Sequence, residues 1–391
     1  MKTEELKRGQ KFFKWFGNMS VMSHFINEMP WMSPWGIVKI FNSYFRALGV
    51  VAFANNPFTG ILIFCGISYG NPHEALASFL CGIISVLTCK LIKAPNWDIC
   101  EGICVFNSIL VGCVLTSVLP PILGISLGAR YWLILSFAAF ITNFVEQGLT
   151  TMMAPSGLPV QSVPFNLIAA WVFLCYRTNL KGFELENVTN VSNVTNFPND
   201  TSSYNETVDW GLVFQGTVNA IGQVYGVGNI PSSAFIWIGY FLYSPLLTSF
   251  FYIGSAIGAA LAVFYNVQPL SDIYAGLWSF NSLLSAGGII FFIVPTPMGM
   301  IASLVNAVIA VSVQAALTPV FLQTSIPVFS YPFNIAIMLI LAISLRRESN
   351  LRFVENRTFP EEHFLKHYEI FGNIDFEEEE ETGKPLRMIE T

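Results

Sequence analysis

The chain has 391 residues, of which 53% are hydrophobic and only 11% are charged. Because soluble globular domains carry about 25% charged residues, this composition excludes an ordinary soluble fold and indicates a chain that lies mostly in lipid. The net charge of −6 says little about partners, since the acidic run at residues 377–381 is typical of a solvated tail. No basic segment interleaved with aromatic residues indicates binding to nucleic acid.

Positive charges mark the two ends of the chain. Residues 1–33 hold five Lys or Arg side chains before position 15, and residues 346–391 begin with Arg346 and Arg347. By the positive-inside rule, both ends are expected on the cytoplasmic side of the membrane. The first thirty residues are mixed and basic and show no cleavable signal pattern.

Two apolar blocks, residues 34–180 and 210–345, flank a polar segment at residues 181–209. Five Asn-X-Ser/Thr sequons in this segment predict an extracellular, glycosylated loop. Each apolar block then crosses the membrane an odd number of times. The candidate glycosylation sites are Asn187, Asn190, Asn193, Asn199 and Asn205.

The two apolar blocks repeat the same short motifs in the same order. Because three ordered matches at nearly constant spacing are hard to obtain by chance, we interpret the blocks as homologous halves. With an odd number of crossings in each, such halves form an inverted repeat. The matches pair Gly102–Leu110 with Gly276–Leu284, Ser162–Asn166 with Ser330–Asn334, and Asn71-Pro72 with Ser244-Pro245, at spacings of 174, 168 and 173 residues.

Pro and Gly interrupt the apolar runs at matching places in both halves, as in Asn55–Pro57 and Asn229–Pro231. Broken helices at membrane depth are tolerated where they are buried or line a wet cavity, and paired breaks indicate a transport site. The sequence therefore predicts an all-α polytopic membrane protein with a pore between its halves. We expect about five transmembrane helices per half, plus a tilted or re-entrant helix near residues 102–116 and 276–290.

Few ionisable side chains lie in the apolar blocks. The four histidines fall in terminal or loop regions, no Cys/His cluster has metal-site spacing, and no phosphate-binding loop is present. The seven cysteines do not form a disulfide framework. We therefore expect no enzyme activity and no cofactor. The repeated Phe, Asn, Ser and Gln side chains suit a path for a small, flat, neutral and polar solute, whose N–H groups need acceptors.

Over about residues 40–345 the chain resembles the urea transporter family. The resemblance is carried by Asn55–Gly60, Gly222–Gly226, Ile273–Ser282 and the two Pro-Phe-Asn segments that follow Ser162 and Ser330. It implies a homotrimer in the plasma membrane, with one pore in each protomer. It also implies passive transport of urea through two stacked apolar sites separated by a narrow, oxygen-lined centre.

The resemblance also implies roles for individual residues. Ser162 and Ser330 stand at the positions of the family's central threonines, which keeps the oxygen and removes a methyl group. Gln223 matches the family's pore glutamine, whereas its counterpart in the first half is Val50, so one glutamine is missing. The predicted pore residues are Val50, Phe53, Phe106, Leu110, Ser162, Gln223, Val224, Phe280, Leu284 and Ser330.

Three alternatives stay open at this stage. The departures at Val50, Ser162 and Ser330 allow a channel mainly for water, ammonia or urea analogues. Glu146, which pairs with Gln314 at a spacing of 168 residues, allows a proton-coupled transporter. A membrane scaffold without transport is the third alternative, and the paired helix breaks argue against it.

Overall fold

The computed structural model describes residues 17–184, 207–354 and 356–367, without the side chains of residues 178–184. The five sequon asparagines, Asn187, Asn190, Asn193, Asn199 and Asn205, lie outside these ranges. The described chain is all-α, as the sequence predicts, and its β structure is limited to one isolated bridge between Ile293 and Phe353.

The helices follow one another closely along each half of the chain. The first half contains α1 (Ser20–Glu28), α2 (Trp35–Val50), α3 (Pro57–Gly70), α4 (Pro72–Leu91), α5 (Asn96–Cys100), α6 (Phe106–Leu123), α7 (Ala129–Met153) and α8 (Val163–Glu184). The second contains α9 (Trp210–Gln223), α10 (Ile230–Tyr243), α11 (Pro245–Phe264), α12 (Leu270–Tyr274), α13 (Phe280–Phe292), α14 (Pro297–Thr324) and α15 (Tyr331–Ser344).

Capping side chains explain why the predicted breaks fall where they do. The Asn56 side chain accepts hydrogen bonds from two backbone N–H groups in the first turn of α3. Asn71, Asn229 and Ser244 each accept one such bond at the starts of α4, α10 and α11. A proline occupies the first turn of each helix, where its missing N–H removes no helical hydrogen bond. The Asn-Pro and Ser-Pro pairs are therefore helix starts.

Five helices of the described chain are long and apolar enough to cross a membrane, by length and composition: Pro72–Leu91, Phe106–Leu123, Ala129–Ser156, Pro245–Phe264 and Pro297–Thr324. Four other apolar helices, Pro57–Gly70, Ile230–Tyr243, Phe280–Phe292 and Tyr331–Ser344, have only 13 or 14 residues. A helix of about 14 residues reaches only about 21 Å, less than the bilayer's apolar thickness of about 30 Å. The protein is thus polytopic, with several helices that begin or end inside the helix bundle.

The two halves repeat their unusual backbone turns. Left-handed φ angles occur at pairs of positions separated by 173, 174 or 168 residues, the same spacings as the sequence matches. A left-handed φ is uncommon away from glycine, so its recurrence at equivalent places indicates that the halves fold alike. The inverted relation between them stays a prediction. The pairs are Phe53 and Gly226, Lys93 and Asn266, Gly102 and Gly276, Gly157 and Ser325, and Gln161 and Phe329.

Both ends of the described chain pack on the same end of the bundle. The Asn18 amide donates to the backbone oxygen of Arg357 at 3.3 Å, and the Tyr243 hydroxyl donates to the Asn18 side-chain oxygen at 2.8 Å. Glu361 accepts a hydrogen bond from the Ser244 hydroxyl at 2.7 Å. Residues near the two termini therefore lie on one side of the molecule.

A buried ion pair holds the turn between α2 and α3. The Arg46 guanidinium lies 3.2 Å from a carboxylate oxygen of Glu101, and both side chains are almost completely buried. The same Arg46 nitrogen donates to the backbone and side-chain oxygens of Asn55 at 3.0 and 2.7 Å. The turn that carries Phe53 is thereby fixed to the segment that leads into α6.

Candidate functional site

Two cavities lie in the helix bundle and share part of their walls. The Gln223 cavity, named after that lining residue, has a volume of about 270 Å³. The Glu146 cavity has a volume of about 390 Å³. Val51, Ser162 and Phe333 line both, so the two cavities approach each other beside these residues.

All ten predicted pore residues lie on the walls of these cavities. The Gln223 cavity is lined by Leu110, Ser162, Gln223, Val224, Phe280, Leu284 and Ser330. The Glu146 cavity is lined by Val50, Phe53, Phe106 and Ser162. The structure thus brings the predicted residues to one connected region, and their role in conduction stays a prediction.

Ser162 and Ser330 meet between the two cavities. Their hydroxyl oxygens are 2.8 Å apart, although 168 residues separate them in the chain. The Asn166 amide donates to Ser330 Oγ at 3.0 Å, and the Asn334 amide donates to Ser162 Oγ at 2.9 Å. Each half therefore supplies one hydroxyl and one asparagine, and each asparagine binds the serine of the other half.

Backbone hydrogen bonds complete this cluster of four residues. The N–H of Ser162 donates to the side-chain oxygen of Asn334, and the N–H of Ser330 donates to that of Asn166, at 3.2 and 3.0 Å. The two turns that precede α8 and α15 are thus locked to each other. Sequence reasoning did not include Asn166 and Asn334, although the repeated Pro-Phe-Asn segments contain them.

The cluster leaves hydrogen-bonding capacity for a solute. A hydroxyl has one donor and two acceptor lone pairs. If Ser162 donates to Ser330, then Ser162 accepts only from Asn334 and keeps one lone pair. If Ser330 donates to Ser162 instead, Ser330 accepts from Asn166 at 3.0 Å and only weakly from Asn334 at 3.5 Å, and the Ser162 hydroxyl is free to donate elsewhere. The Ser330 hydroxyl also lies 3.3 Å from Asn166 Oδ1, to which it can donate in the first arrangement. In either arrangement one serine oxygen can accept a hydrogen bond from a molecule beside the pair.

Phe106 and Phe280 are positioned by the asparagines that follow them. Each phenylalanine is the first residue of its helix, α6 or α13. Asn107 donates to the backbone oxygen of Gln161 at 3.2 Å, and Asn281 donates to that of Phe329 at 3.1 Å. Because these oxygens belong to the residues directly before Ser162 and Ser330, the first turns of α6 and α13, which carry the two phenylalanines, are tied to the serine cluster.

Gln223 provides a polar side chain to the Gln223 cavity, and the Glu146 cavity has no polar side chain at the corresponding position of the first half. Gln223 Nε2 donates to the backbone oxygen of Ala275 at 2.8 Å. Val50, at the corresponding position, brings only an apolar side chain to the Glu146 cavity. The structure therefore gives the two cavities different chemistry at this pair of positions.

Aromatic rings form much of the wall of the Glu146 cavity. The Phe53 ring stacks on Phe291, with ring centroids 5.4 Å apart, and contacts Phe292 and Phe333 at 5.8 and 6.1 Å. Phe53 has a φ of 71°, which is sterically costly for a residue with a side chain. This packing holds the ring in place, and it was not predictable from the apolar C-terminal part of α13.

Each cavity has a charged residue on its wall outside the long helices. Arg357 lines the Glu146 cavity, where burial lowers its pKa and the negative charge of Asp98 opposes that shift. Burial likewise raises the pKa of Asp98, which the Arg357 charge partly offsets. Asp272 lines the Gln223 cavity, and burial raises its pKa. Along the described walls no ring of like charges provides the selectivity filter of an ion channel.

A metal site in the described part of the chain would need several ligand side chains close together. Across residues 17–184, 207–354 and 356–367, no group of three or more His, Cys, Asp or Glu side chains could hold an ion. The seven cysteines are free thiols, five of them buried. The walls of the two cavities consist mostly of hydrogen-bonding groups and flat apolar side chains.

Comparison with known proteins agrees with this chemistry. The family model described as "Urea transporter" matches residues 41–345. Urea transporter 1 of Capra hircus is 27% identical over 353 residues, which cover 88% of this chain and 87% of the relative. Urea transporter 1 of Rattus norvegicus is 26% identical over 336 residues, which cover 84% and 82%. Because the family model spans most of the sequence, the chain belongs to the urea transporter family, whose members are transporters and not enzymes.

Proposed function

We propose that this protein conducts urea passively across the plasma membrane, through a slot between its two halves. The observation that carries the proposal is the approach of two cavities at the Ser162–Ser330 pair. Family membership supports urea as the solute. No energy source is invoked, because the proposed path needs only binding groups along a concentration gradient.

The walls of the cavities suit a flat molecule with several N–H groups. Phe106 and Phe280 present aromatic side chains on either side of the serine cluster. A narrow apolar slot strips water from the solute, and each unpaired N–H donor then costs about 1–3 kcal/mol. The free lone pair at Ser162 or Ser330 offsets part of this cost at the narrow centre.

The proposed pore lies between inverted halves, with both termini in the cytoplasm. The recurring left-handed turns support the duplication, and the contacts between Asn18 and Arg357 support termini on one side. In this orientation, the cavity that contains Arg357 opens toward the cytoplasm. Glycosylation between residues 187 and 205 and assembly into a homotrimer complete the proposal, and both rest on the sequence and its resemblance to the family.

Flux through reconstituted protein tests the proposal directly. Purified full-length chain in liposomes is followed by stopped-flow light scattering under an inward urea gradient, with a water-only osmotic gradient measured in parallel. We expect urea entry faster than in protein-free liposomes, without accumulation above the external concentration. Phe280→Ala should reduce this entry, whereas Phe137→Ala, the same change on an exposed face of α7, should not.

Other outcomes select among the alternatives. Urea entry no faster than in protein-free liposomes, with water or methylammonium moving instead, favours a channel for those solutes and contradicts the proposal. Accumulation driven by a pH gradient and lost in Glu146→Gln favours a proton-coupled transporter. Equal loss of flux in Phe280→Ala and Phe137→Ala places the effect in folding and not in the slot.

A further inference from the structure

The two cavities differ in the hydrogen-bond acceptors that they offer. In the Gln223 cavity, the amide nitrogen of Gln223 is used by Ala275, and its Oε1 has no hydrogen bond within the described chain. That oxygen is available to a solute. The matching position of the Glu146 cavity is Val50, which has no polar side-chain atom. On this comparison alone, the Glu146 cavity lacks an acceptor that its counterpart has.

Glu146 provides a carboxyl group in that same cavity. Its side chain is 95% buried, with 5% of its surface exposed, and it lines the cavity wall together with Val50. Its Oε2 is buried without a hydrogen-bond partner among the described residues. Asn107 lies close enough to interact with the carboxyl group. An acceptor is therefore buried beside the cavity with unused hydrogen-bonding capacity.

The corresponding residue of the other half behaves differently. Gln314 accepts a hydrogen bond from the Asn281 amide at 3.0 Å and donates to the backbone oxygen of Leu277 at 2.9 Å. Its amide is satisfied within the protein on both atoms. Since a buried acceptor without a partner destabilises a fold, such a group needs an explanation outside ordinary packing. A donor that arrives with the solute provides one.

We propose that Glu146 accepts N–H hydrogen bonds from the transported solute and takes the place of the amide that is absent at Val50. The inference rests on the proposed function and deepens it by assigning the solute class of the Glu146 cavity: small planar molecules with several N–H groups. A carboxyl group keeps acceptor lone pairs whether or not it is protonated, so this role needs no change of charge. Water flux should depend less on Glu146, because water molecules that pass in single file accept hydrogen bonds from one another's O–H groups.

Four variants in liposomes test this assignment, with urea and water fluxes measured on each. Glu146→Leu removes the acceptor, and we expect urea flux to fall about tenfold while water flux changes less than about twofold. Glu146→Gln keeps an acceptor oxygen and should stay near the wild-type urea flux. Adding Val50→Gln to Glu146→Leu places an amide in the same cavity and should restore urea flux. Thr142→Val, one turn earlier on α7 and away from the cavity walls, is the matched control.

Each result bears on the inference in a distinct way. Wild-type urea flux in Glu146→Leu overturns it while leaving the proposed function intact. If Glu146→Leu and Glu146→Gln both lose urea flux and water flux together, the role of Glu146 is structural and the inference is also overturned. Failure of Val50→Gln to restore urea flux, with water flux normal, contradicts the exchange of acceptors. A wild-type protein that moves no urea overturns the proposed function and this inference together.

Discussion

Removal of both central hydroxyl groups is the sharpest perturbation of the proposed path. In the double variant Ser162→Ala with Ser330→Ala, the backbone N–H groups of both positions keep their bonds to Asn334 and Asn166. Each asparagine amide also keeps a backbone partner, Ser162 O at 3.0 Å or Ser330 O at 2.8 Å. The two locked turns should therefore survive, and the change is confined to the oxygens that face the cavities.

The size of the effect follows from the lone-pair count. The serine pair offers one free acceptor to a solute, and the alanine pair offers none. An N–H group left without a partner costs about 1–3 kcal/mol, and 1.4 kcal/mol corresponds to a factor of about ten. We therefore expect urea flux to fall by roughly tenfold in the double variant. Ser162→Thr with Ser330→Thr keeps both oxygens and should retain most of the urea flux.

Stopped-flow light scattering on matched liposome preparations measures this change, with protein content equalised by quantitative gel analysis. Water flux serves as the internal reference, because loss of two hydroxyl groups widens the centre and should not slow water. Urea flux within about twofold of wild type in the double alanine variant would refute the assignment of the serine oxygens as acceptors, since an unpaired donor costs at least about 1 kcal/mol.

Three further predictions concern stability and modification. Arg46→Met leaves Glu101 as an uncompensated buried charge and should cost about 3–5 kcal/mol, and adding Glu101→Leu should recover much of it. A melting temperature in detergent that is the same for the single and double variants contradicts this. Asn166→Leu leaves the buried N–H of Ser330 unpaired and should cost about 1–3 kcal/mol, which a thermal-shift comparison with Thr142→Val can detect. Treatment of protein from a eukaryotic host with an N-glycosidase should lower its apparent mass, and replacement of the asparagines at positions 187–205 should abolish that shift.

Local chemistry made much of this fold predictable from the sequence. A side chain that caps a helix and a proline in its first turn act within three or four residues, so Asn56 and Asn229 mark helix starts without any knowledge of the fold. The repeated Phe-Asn-Ser and Pro-Phe-Asn segments predicted matching elements in the two halves, and their resemblance to the family supplied which of their residues were expected to line the pore. The resemblance to a family supplied the particular positions of Gln223 and Val50.

Long-range contacts were not predictable in this way. The bond between Asn166 and Ser330 joins residues 164 positions apart, and the ion pair of Arg46 and Glu101 joins residues 55 positions apart. Nothing in the local pattern specifies such partners. Phe291 and Phe292 were missed for another reason, because they end α13 in a stretch, residues 286–292, that is entirely buried and contains only apolar residues and glycine. No polar side chain in this stretch indicates which side lines a cavity.

The arrangement of acceptors in two successive cavities makes a last prediction about how their effects combine. If Gln223 and Glu146 act in separate cavities, their barriers lie in series, and resistances to flux add. If Gln223→Leu and Glu146→Leu each reduce urea flux about tenfold, the double variant should then lose about twentyfold and not about a hundredfold. Flux measurements on wild type, both single variants and the double variant distinguish these values. A multiplicative loss would mean that both groups hold the solute at one barrier, and the division of the path into two binding cavities would be wrong.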